Sequence, residues 1–293
     1  MRSSICVYHS RDLDGWMSAA IMKHELPEVE LIGWDYGDPI PKLNAHDVYL
    51  VDISFPPDVM VDMWATKNLI WIDHHVSAIK DSVLNKYDEM DGLRDSKFAA
   101  CELTWRWFYP PDEKGEIFIP SMFKPIPEAV RLLGRYDCFG HKGTEEEGRV
   151  FAFQYAARAL AENPEEAEQF LDMSDTEISN TVDRGEAILK YLSVEAKQLY
   201  ESLSFPFILN GLKGIAINRT RFNPTSYGID YSEYDFCACF AYDGEKWHWS
   251  LYNDGDTDVS VIAKSFGGGG HAGAAGFITD DLSLINYETL IEK

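Results

Sequence analysis

The amino-acid sequence predicts an α/β protein of two domains joined by a helix. The chain has 293 residues, a length more typical of two domains than of one. In its first half, strand-like segments alternate with helical ones, which predicts a mostly parallel sheet with helices on both faces. After Pro206 the pattern changes to short, closely spaced strands, which predicts a second and smaller α/β domain.

The first half contains four predicted strands and two predicted helices between them. The strands cover residues 5–9, 29–34, 48–52 and 69–72, and the helices cover 16–24 and 58–67. The last of these strands, Leu69-Ile70-Trp71-Ile72, is apolar throughout, as expected of a strand covered on both faces. Three further helices are predicted in SKFAACELTWRWF, PEAVRLLGRYDCF and GRVFAFQYAARALA, because their apolar residues recur with the helical period.

A long charged helix, from residue 175 to about 203, is the predicted connector between the domains. We place the first domain at 1–183, the connector at 184–204 and the second domain at 205–293. In the second domain, strands are predicted in FILNG, GIAINR, DFCACFAYDG and KWHWSLYN, with Asp243-Gly244 as a hairpin turn. The segment DVSVIAKSF reads as a helix that leads into a run of four glycines and His271.

The charge and composition exclude some classes of function. A formal charge of -23 argues against a basic surface that grips long nucleic acid through many phosphates. A small anionic substrate remains compatible with this charge if metal ions supply a local positive field. The sequence shows no signal peptide and no membrane-spanning run, and its five cysteines lack CxxC spacing. These features predict a cytoplasmic protein without a membrane partner.

Acids and histidines follow three of the predicted strands. His9, Asp12 and Asp14 come after the first strand, Asp52 ends the third, and the sequence Asp73-His74-His75 follows the fourth. An extended loop would turn Asp12 and Asp14 to one side, and Gly15 would free the backbone before the helix. A helix-capping Asp-Gly turn is the alternative, and it accounts for Asp14 alone. Because parallel strands end at one sheet edge, we expect these side chains to converge there.

So many carboxylates and imidazoles around one point would repel each other without cations. Mixed Asp and His ligands suit hard or borderline divalent ions, so we expect two metal ions, with Mn²⁺ favoured and Co²⁺ or Mg²⁺ as alternatives. Two ions about 3.5–4 Å apart are a common arrangement for phosphoryl displacement. Adjacent residues of an extended segment point in opposite directions, so His74 and His75 are expected to have different roles.

Five motifs, in this order, resemble the DHH phosphoesterase superfamily with a C-terminal DHHA1 domain, including its oligoribonuclease-like and RecJ-related members. They are HSRDLDG, VD, DHH, GRYDCFG and GGGGHAGAAGF, and they span nearly the whole chain. The resemblance implies a hydrolase whose active site lies in the cleft between its two domains. It also implies that a smaller domain binds the substrate.

The resemblance also implies a role for each residue of the first domain. One metal would be held by His9, Asp12 and Asp52, with Asp52 bridging. The second metal would be held by the set Asp14, Asp52, His74 and Asp137. His75 would contact the phosphate oxygens, with Asp73 in a supporting role. From the residues alone, Asp137 is equally well explained as a solvated acid at a helix end.

In the second domain, the resemblance implies that the glycine run binds the far end of the substrate. The expected contacts are Gly268, Gly269, Gly270 and His271. A flexible linker is the minority alternative for this run. Tyr252 stands where many family members have an arginine, and Arg219 or Arg221 is expected to compensate. We expect Trp247, Trp249 and Tyr252 to share one face of their strand, with core packing favoured over base stacking.

The sequence therefore predicts a metal-dependent phosphodiesterase that hydrolyses short oligonucleotides or linear dinucleotides to mononucleotides through a two-metal-activated water. Two alternatives remain open. One is a phosphoanhydride or phosphomonoester hydrolase acting on polyphosphate, pyrophosphate or a 3′-phosphorylated nucleotide, and the other is a non-catalytic nucleotide sensor. A homodimer also remains open.

Overall fold

The structure is a computed structural model that describes residues 3–81, 83–84, 89–110, 124–220, 222–286 and 290. Its contacts divide the chain into two units, Met1–Ile188 and Leu189–Lys293. The division falls inside the long helix α8, Asp175–Leu203. It therefore lies within the segment predicted as the connector, and the connector role itself stays a prediction.

The first unit contains a sheet of four parallel strands. In chain order the strands are β1 (Ser4–His9), β2 (Glu30–Trp34), β3 (Asp47–Val51) and β4 (Asn68–Ile72), and their order in the sheet is β2-β1-β3-β4. All four strands run the same way, so their carboxyl ends lie along one edge of the sheet. This arrangement confirms the predicted parallel sheet.

Helices cover both faces of this sheet. Along β1, Ile5 and Val7 pack into one apolar cluster, whereas Cys6 packs into another on the opposite face. The period of two residues is the pattern of a strand that is buried on both sides. One cluster includes Met60 of the helix α2 (Pro57–Thr66), and the other includes Met22 of the helix α1 (Leu13–Glu25).

A helical layer completes the first unit. The short helix α3 (Val76–Ile79) follows β4, and the longer chain after it forms α4 (Ala100–Phe108), α5 (Glu128–Asp137), α6 (Glu147–Leu160) and α7 (Pro164–Ala167). Helices α1, α4, α5 and α6 share one large apolar cluster, in which Met17, Val130 and Phe153 are fully buried. The three helices predicted from their 3.6-residue period are therefore confirmed, within a few residues at each end.

The second unit contains a mixed sheet of six strands with the order β5-β6-β7-β8-β10-β9. The strands are β5 (Phe205–Leu209), β6 (Leu212–Asn218), β7 (Phe236–Tyr242), β8 (Trp247–Tyr252), β9 (Gly269–His271) and β10 (Ala274–Thr279), with helix α9 (Val259–Ser265) before β9. Among the described strands of this second sheet, only β6 and β7 pair in parallel. Asp243 and Gly244 begin the turn between β7 and β8, as predicted.

The prediction that Trp247, Trp249 and Tyr252 share a face is wrong. Trp249 is 2% exposed and stacks on Phe277, 5.6 Å away, in the core of the second unit. Tyr252 packs instead against the separate cluster that contains Phe222. Tyr252 comes three positions after Trp249 and five after Trp247, both odd offsets, so the strand turns its ring to the opposite side.

Among the helices of the described residues, none is both long enough and apolar enough to cross a lipid bilayer. The five cysteines are free thiols, and four of them are buried.

Candidate metal centre

The carboxyl edge of the parallel sheet brings the predicted metal ligands of the first unit together. His9 is the last residue of β1, Asp52 follows β3, and the Asp73-His74-His75 segment follows β4. Two helices supply the others: Asp14 lies in the first turn of α1, and Asp137 is the last residue of α5. Residues from distant parts of the first unit's chain therefore meet at one place.

One group of possible ligands consists of His9, Asp12 and Asp52, whose ligand atoms all lie within 4.8 Å of one another. Nδ1 of His9 lies 3.0 Å from Oδ2 of Asp12 and 3.5 Å from Oδ2 of Asp52. An imidazole and two carboxylates at this spacing form a donor set that suits a divalent cation.

A second group consists of Asp14, His74 and Asp137. Nε2 of His74 is its centre, because it lies 3.6 Å from Oδ2 of Asp14 and 3.2 Å from Oδ2 of Asp137. The same nitrogen lies 3.3 Å from Oδ1 of Asp52. Asp52 thus directs one oxygen toward each group, which is the geometry of a bridging carboxylate.

Asp52 has an unusual backbone conformation and a buried carboxylate. Its φ angle is 60°, in the left-handed region that costs a non-glycine residue about 1–3 kcal/mol, although aspartate tolerates it better than most. The residue is 1% exposed, and its buried Oδ1 atom makes no hydrogen bond with any described residue. A buried carboxylate oxygen without a donor is costly unless a cation neutralises it. With His74 Nε2 3.3 Å away as its nearest cationic group, this oxygen belongs to a donor set that could bind a metal ion.

The start of α1 differs from the prediction. Asp12, rather than Asp14, caps the helix, and its Oδ1 accepts a hydrogen bond from the Gly15 amide at 3.0 Å. Asp14 lies inside the first turn, so the expectation of an extended loop through both acids is wrong. Gly15 is also helical: a Cβ atom there would lie 2.0 Å from the carbonyl oxygen of His9. Gly15 therefore allows β1 and α1 to approach each other at the site.

The amino end of α4 fixes the carboxylate of Asp14. The backbone amides of Ala100 and Cys101 donate hydrogen bonds of 2.8 Å to Oδ2 and Oδ1 of Asp14. These are two of the donors that the first turn of a helix leaves unpaired, and the helix dipole there favours an anion. Asp14, which is 4% exposed, is thus held in place by a third element.

His75 and Asp73 form a separate pair next to the two groups. Asp73 is fully buried, and its Oδ1 accepts hydrogen bonds from Nδ1 of His75 at 2.7 Å and from the amides of His74 and His75. Its Oδ2 accepts a hydrogen bond from the Trp71 indole at 3.1 Å. With Nδ1 engaged, Nε2 is the ring nitrogen of His75 that a substrate can reach. His75 also belongs to a third group of possible ligands, with Asp52 and His74, so the predicted difference between the two histidines stays a prediction.

The charges of the site raise several pKa values. Burial alone would lower the pKa of His9, but the neighbouring carboxylates of Asp12 and Asp52 outweigh burial and raise the pKa to about 11. Burial would lower the pKa of His74, but the contacts and charges around its ring, with the Asp52 carboxylate the largest among them, together outweigh burial and raise the pKa to about 12. Burial, followed by the charge of Asp14, raises the pKa of Asp137 to about 7. The carboxylates therefore need positive charge, which protons or divalent cations can provide.

Asp35 was not predicted from the sequence. Its Oδ1 lies 3.4 Å from Nε2 of His9, and its Oδ2 accepts a hydrogen bond of 2.8 Å from Nε of Arg11. Asp35 directly follows β2, so it carried the same signal as the acids after the other strands. It orients the imidazole of His9 from the side opposite Asp12.

The residues predicted to bind substrate in the second unit have varied surroundings. Gly269, Gly270 and His271 form strand β9, so the glycine run is part of a hairpin with β10 and not a free loop. A Cβ atom at Gly268 would lie 2.1 Å from the Gly276 carbonyl oxygen, which explains one glycine by backbone packing. His271 is exposed.

The other two predicted contacts also lie in the second unit. Arg219 follows β6, with Nη2 3.9 Å from a carboxylate oxygen of Glu195, and the ring of Tyr252 is partly buried. Arg221, the alternative to Arg219, lies outside the described residues. The substrate contacts of all these side chains stay predictions.

No protein-family model matches the chain. An uncharacterized protein of Acanthamoeba polyphaga mimivirus is 24% identical over 249 residues, which cover 81% of this chain and 54% of that protein. The chain thus spans about half the length of this curated relative.

Solved structures resemble the chain along most of its length. A DHH domain described as a member of the s1p family of ribosomal proteins has a TM-score of 0.52 at 15% identity, covering 95% of this chain and 82% of its own. The pGpG-specific phosphodiesterase PggH of Vibrio cholerae has a TM-score of 0.48 at 13% identity, with 95% and 94% covered. RecJ of Thermus thermophilus, solved with Mn²⁺, has a TM-score of 0.49 at 17% identity, with 96% and 50% covered. These similarities concern the fold alone. The assignment of the fold rests on the first structure, the DHH domain with a TM-score of 0.52. The chain has the fold of DHH-domain proteins, as the sequence motifs predict.

Proposed function

We propose that the protein is a metal-dependent phosphodiesterase that hydrolyses short oligonucleotides or linear dinucleotides to mononucleotides. The observation that carries this proposal is the position of Asp52 between the two ligand groups, with Oδ2 3.5 Å from Nδ1 of His9 and Oδ1 3.3 Å from Nε2 of His74. In this proposal His9, Asp12 and Asp52 hold one divalent cation. The other cation is held by Asp14, Asp52, His74 and Asp137. Mn²⁺ is the preferred ion, with Co²⁺ and Mg²⁺ as alternatives.

A pair of bound divalent cations would supply a water molecule of lowered pKa and positive charge beside the phosphate. The side chains of the protein have three tasks around that chemistry. Asp52 would supply a ligand to each of the two metals, and the amides of Ala100 and Cys101 at the start of α4 hold the carboxylate of Asp14 in place. Asp73 fixes the ring of His75.

His75 is the group that we assign to the phosphate oxygens. Burial lowers its pKa, but the hydrogen bond and the charge of Asp73 outweigh that effect and leave the pKa raised. The raised pKa favours the ring that carries a proton on each nitrogen, and the side chain is 33% exposed. Nε2–H donates to a phosphate oxygen and stabilises the negative charge that develops there.

The proposal is tested by incubating the purified protein and Mn²⁺ with RNA and DNA oligomers of two to five nucleotides. We expect mononucleotides as products. Asp52→Asn keeps the shape of the side chain, and asparagine tolerates the left-handed backbone conformation. We expect this variant to lower the activity by at least about 100-fold, because both metal positions lose a charged ligand. Asp62→Asn, an exposed acid on α2, is the control and should leave activity unchanged.

Two outcomes would contradict the proposal. One is a protein that leaves every oligomer intact under these conditions. The other is full activity of Asp52→Asn, which would refute the bridging role. Release of inorganic phosphate instead of nucleotides would favour a phosphoanhydride or monoester hydrolase.

A further inference from the structure

The first unit contains a cavity beside the candidate metal centre that the reaction described above does not use. Its volume is about 460 Å³, within the range of roughly 300–1,000 Å³ that is usual for small-molecule sites. The end of β2 and the segments after β3 and β4 line it, and the residues that matter are Trp34, Tyr36, Ile40, Ser54, Phe55 and Ser77. The cavity therefore lies at the same sheet edge as the ligand groups.

Tyr36 connects the cavity to the metal centre. The centre of its ring lies 6.3 Å from that of His9 and 6.5 Å from that of His75. A ligand that contacts the cavity side of Tyr36 is thus one side chain away from both imidazoles. At this short distance, one small molecule can contact the cavity with one part and the metal centre with another.

The cavity wall is rich in aromatic rings. The Trp34 ring lies 4.8 Å from that of Phe55 and 5.6 Å from that of Tyr36, and both pairs meet edge to face. Tyr36 is 52% exposed and Ile40 is 42% exposed. Large apolar side chains exposed beside a cavity are expected where a flat apolar ligand covers them.

The charges at the cavity disfavour a phosphate. Among the described residues that line it, none is basic, whereas Asp38 and Asp81 contribute carboxylates. A phosphate group would be repelled by these acids, but a neutral ring that carries N–H donors would find acceptors. Aromatic walls with nearby acceptors match the amino-bearing ring of a nucleobase.

We propose that this cavity binds the nucleobase of the nucleotide whose phosphate lies at the metal centre. This inference rests on the proposed function and adds a preference to it: substrates with a base are bound more tightly than substrates with a phosphate and a sugar alone. Tyr36 provides the surface on which the base stacks. The site then favours nucleotides over inorganic polyphosphate or pyrophosphate.

The test compares two ligands by isothermal titration calorimetry on the Mn²⁺-loaded protein. Adenosine 5′-monophosphate has a base, and ribose 5-phosphate lacks it. Stacking contributes about 1–3 kcal/mol per base, so we expect the nucleotide to bind at least about fivefold more tightly. Tyr36→Ala should remove most of this preference and leave the affinity for ribose 5-phosphate unchanged, whereas Tyr36→Phe should keep the preference.

Two further variants complete the design. Ile40→Ala removes a second part of the wall and should also weaken nucleotide binding, which keeps the test decisive if Tyr36→Ala does not fold. Tyr191→Ala removes a tyrosine that is 69% exposed on α8, and it should change neither affinity.

The outcomes separate this inference from the function on which it rests. Metal-dependent binding of both ligands with equal affinity, or a preference that survives Tyr36→Ala and Ile40→Ala, would overturn the base site and leave the phosphodiesterase proposal standing. Failure of both phosphates to bind in a metal-dependent way would overturn both proposals.

Discussion

At the scale of single residues, two consecutive histidines have different surroundings at the candidate metal centre. His74 lies among the carboxylates, with Nε2 between 3.2 and 3.6 Å from three of them. His75 is anchored to Asp73 and lies farther from Asp52, at 3.8 Å. The alternation expected of an extended segment does not separate the two rings, because their centres lie only 4.6 Å apart.

This difference predicts how a substitution of His75 acts. His75→Gln should lower kcat by about 100-fold or more, because one donor to the developing charge is lost, while Mn²⁺ binding stays the same. Steady-state kinetics and calorimetric metal titration would measure the two quantities. A His75→Gln protein that loses its metals as readily as His74→Ala would show that His75 is a ligand instead.

Gly15 predicts a second effect at the residue scale. Alanine in place of glycine in a helix usually stabilises by about 0.5–1 kcal/mol. At Gly15 the sign should reverse, because the new Cβ would lie 2.0 Å from the His9 carbonyl oxygen and would displace a metal ligand. Gly148→Ala, on α6 with nothing within 4 Å of the added atom, is the matched control and should stabilise. Urea unfolding of both variants measures the free energy of unfolding.

A stable Gly15→Ala protein with unchanged Mn²⁺ affinity would contradict the close approach of β1 and α1.

The residue types of the centre could be predicted from the sequence, because an acid or imidazole after an apolar strand is a local signal. Asp35 shows the limit of that reasoning, since it follows β2 in the same way and was not selected. The helix cap was also misplaced, since the capping alternative put it at Asp14 and the structure puts it at Asp12. Which of two acids caps a helix depends on where the helix begins, and here α1 begins three residues earlier than the apolar pattern indicates.

At the scale of elements, helix α5 matters because its last residue is Asp137. A carboxylate at the carboxyl end of a helix is disfavoured by the helix dipole. Arg131 lies one and a half turns earlier and stabilises the helix. Its guanidinium donates hydrogen bonds of 2.7 to 2.9 Å to both Glu128 and Glu146. Arg149 adds one weaker contact of 3.2 Å to Glu128.

Arg131→Met should therefore reduce the free energy of unfolding at pH 7 by about 1 kcal/mol, a modest value because all three groups are partly exposed. The hydrogen bonds from Arg131 lower the pKa of Glu128 and of Glu146. A lowered pKa in the folded state means that the stabilisation is present above the unfolded pKa of about 4.3 and is lost as pH falls through the folded pKa.

Denaturation in urea from pH 7 down to about pH 3.5 measures this effect. The difference between wild type and Arg131→Met should shrink over the acid part of the range, whereas Arg149→Met should show a smaller difference throughout. A difference for Arg131→Met that is independent of pH would contradict an ionic origin.

The hairpin of β9 and β10 is an element that the sequence did not predict. Four consecutive glycines suggest a loop, because glycine weakens strands. In the structure Gly268 and Gly270 lie against the backbone of β10, where a Cβ atom would come within 2.1 and 2.5 Å of it. Close packing between strands is a tertiary effect, so the local sequence cannot reveal it.

At the scale of the whole molecule, the α/β class and the parallel first sheet could be predicted because strand and helix periods differ clearly. The division between units was harder to place, since helix α8 continues through it without a break. A continuous helix has no turn signal, so composition alone cannot locate a boundary within it.

The net charge of -23 also acts at this scale. Much of the protein surface repels a phosphate, and the carboxylates of the centre add to that field. Bound divalent cations would reverse the sign of the field locally, which allows an acidic protein to bind an anionic substrate. The central claim is thus that side chains from distant parts of the chain hold two cations that share Asp52.

Anomalous diffraction at the manganese edge, from crystals grown with Mn²⁺, tests this claim most directly. We expect two peaks on opposite sides of the Asp52 carboxylate, one next to His9 and Asp12 and the other next to His74. A map with no peak among these side chains, or with one peak that Asp52 does not contact, would contradict it.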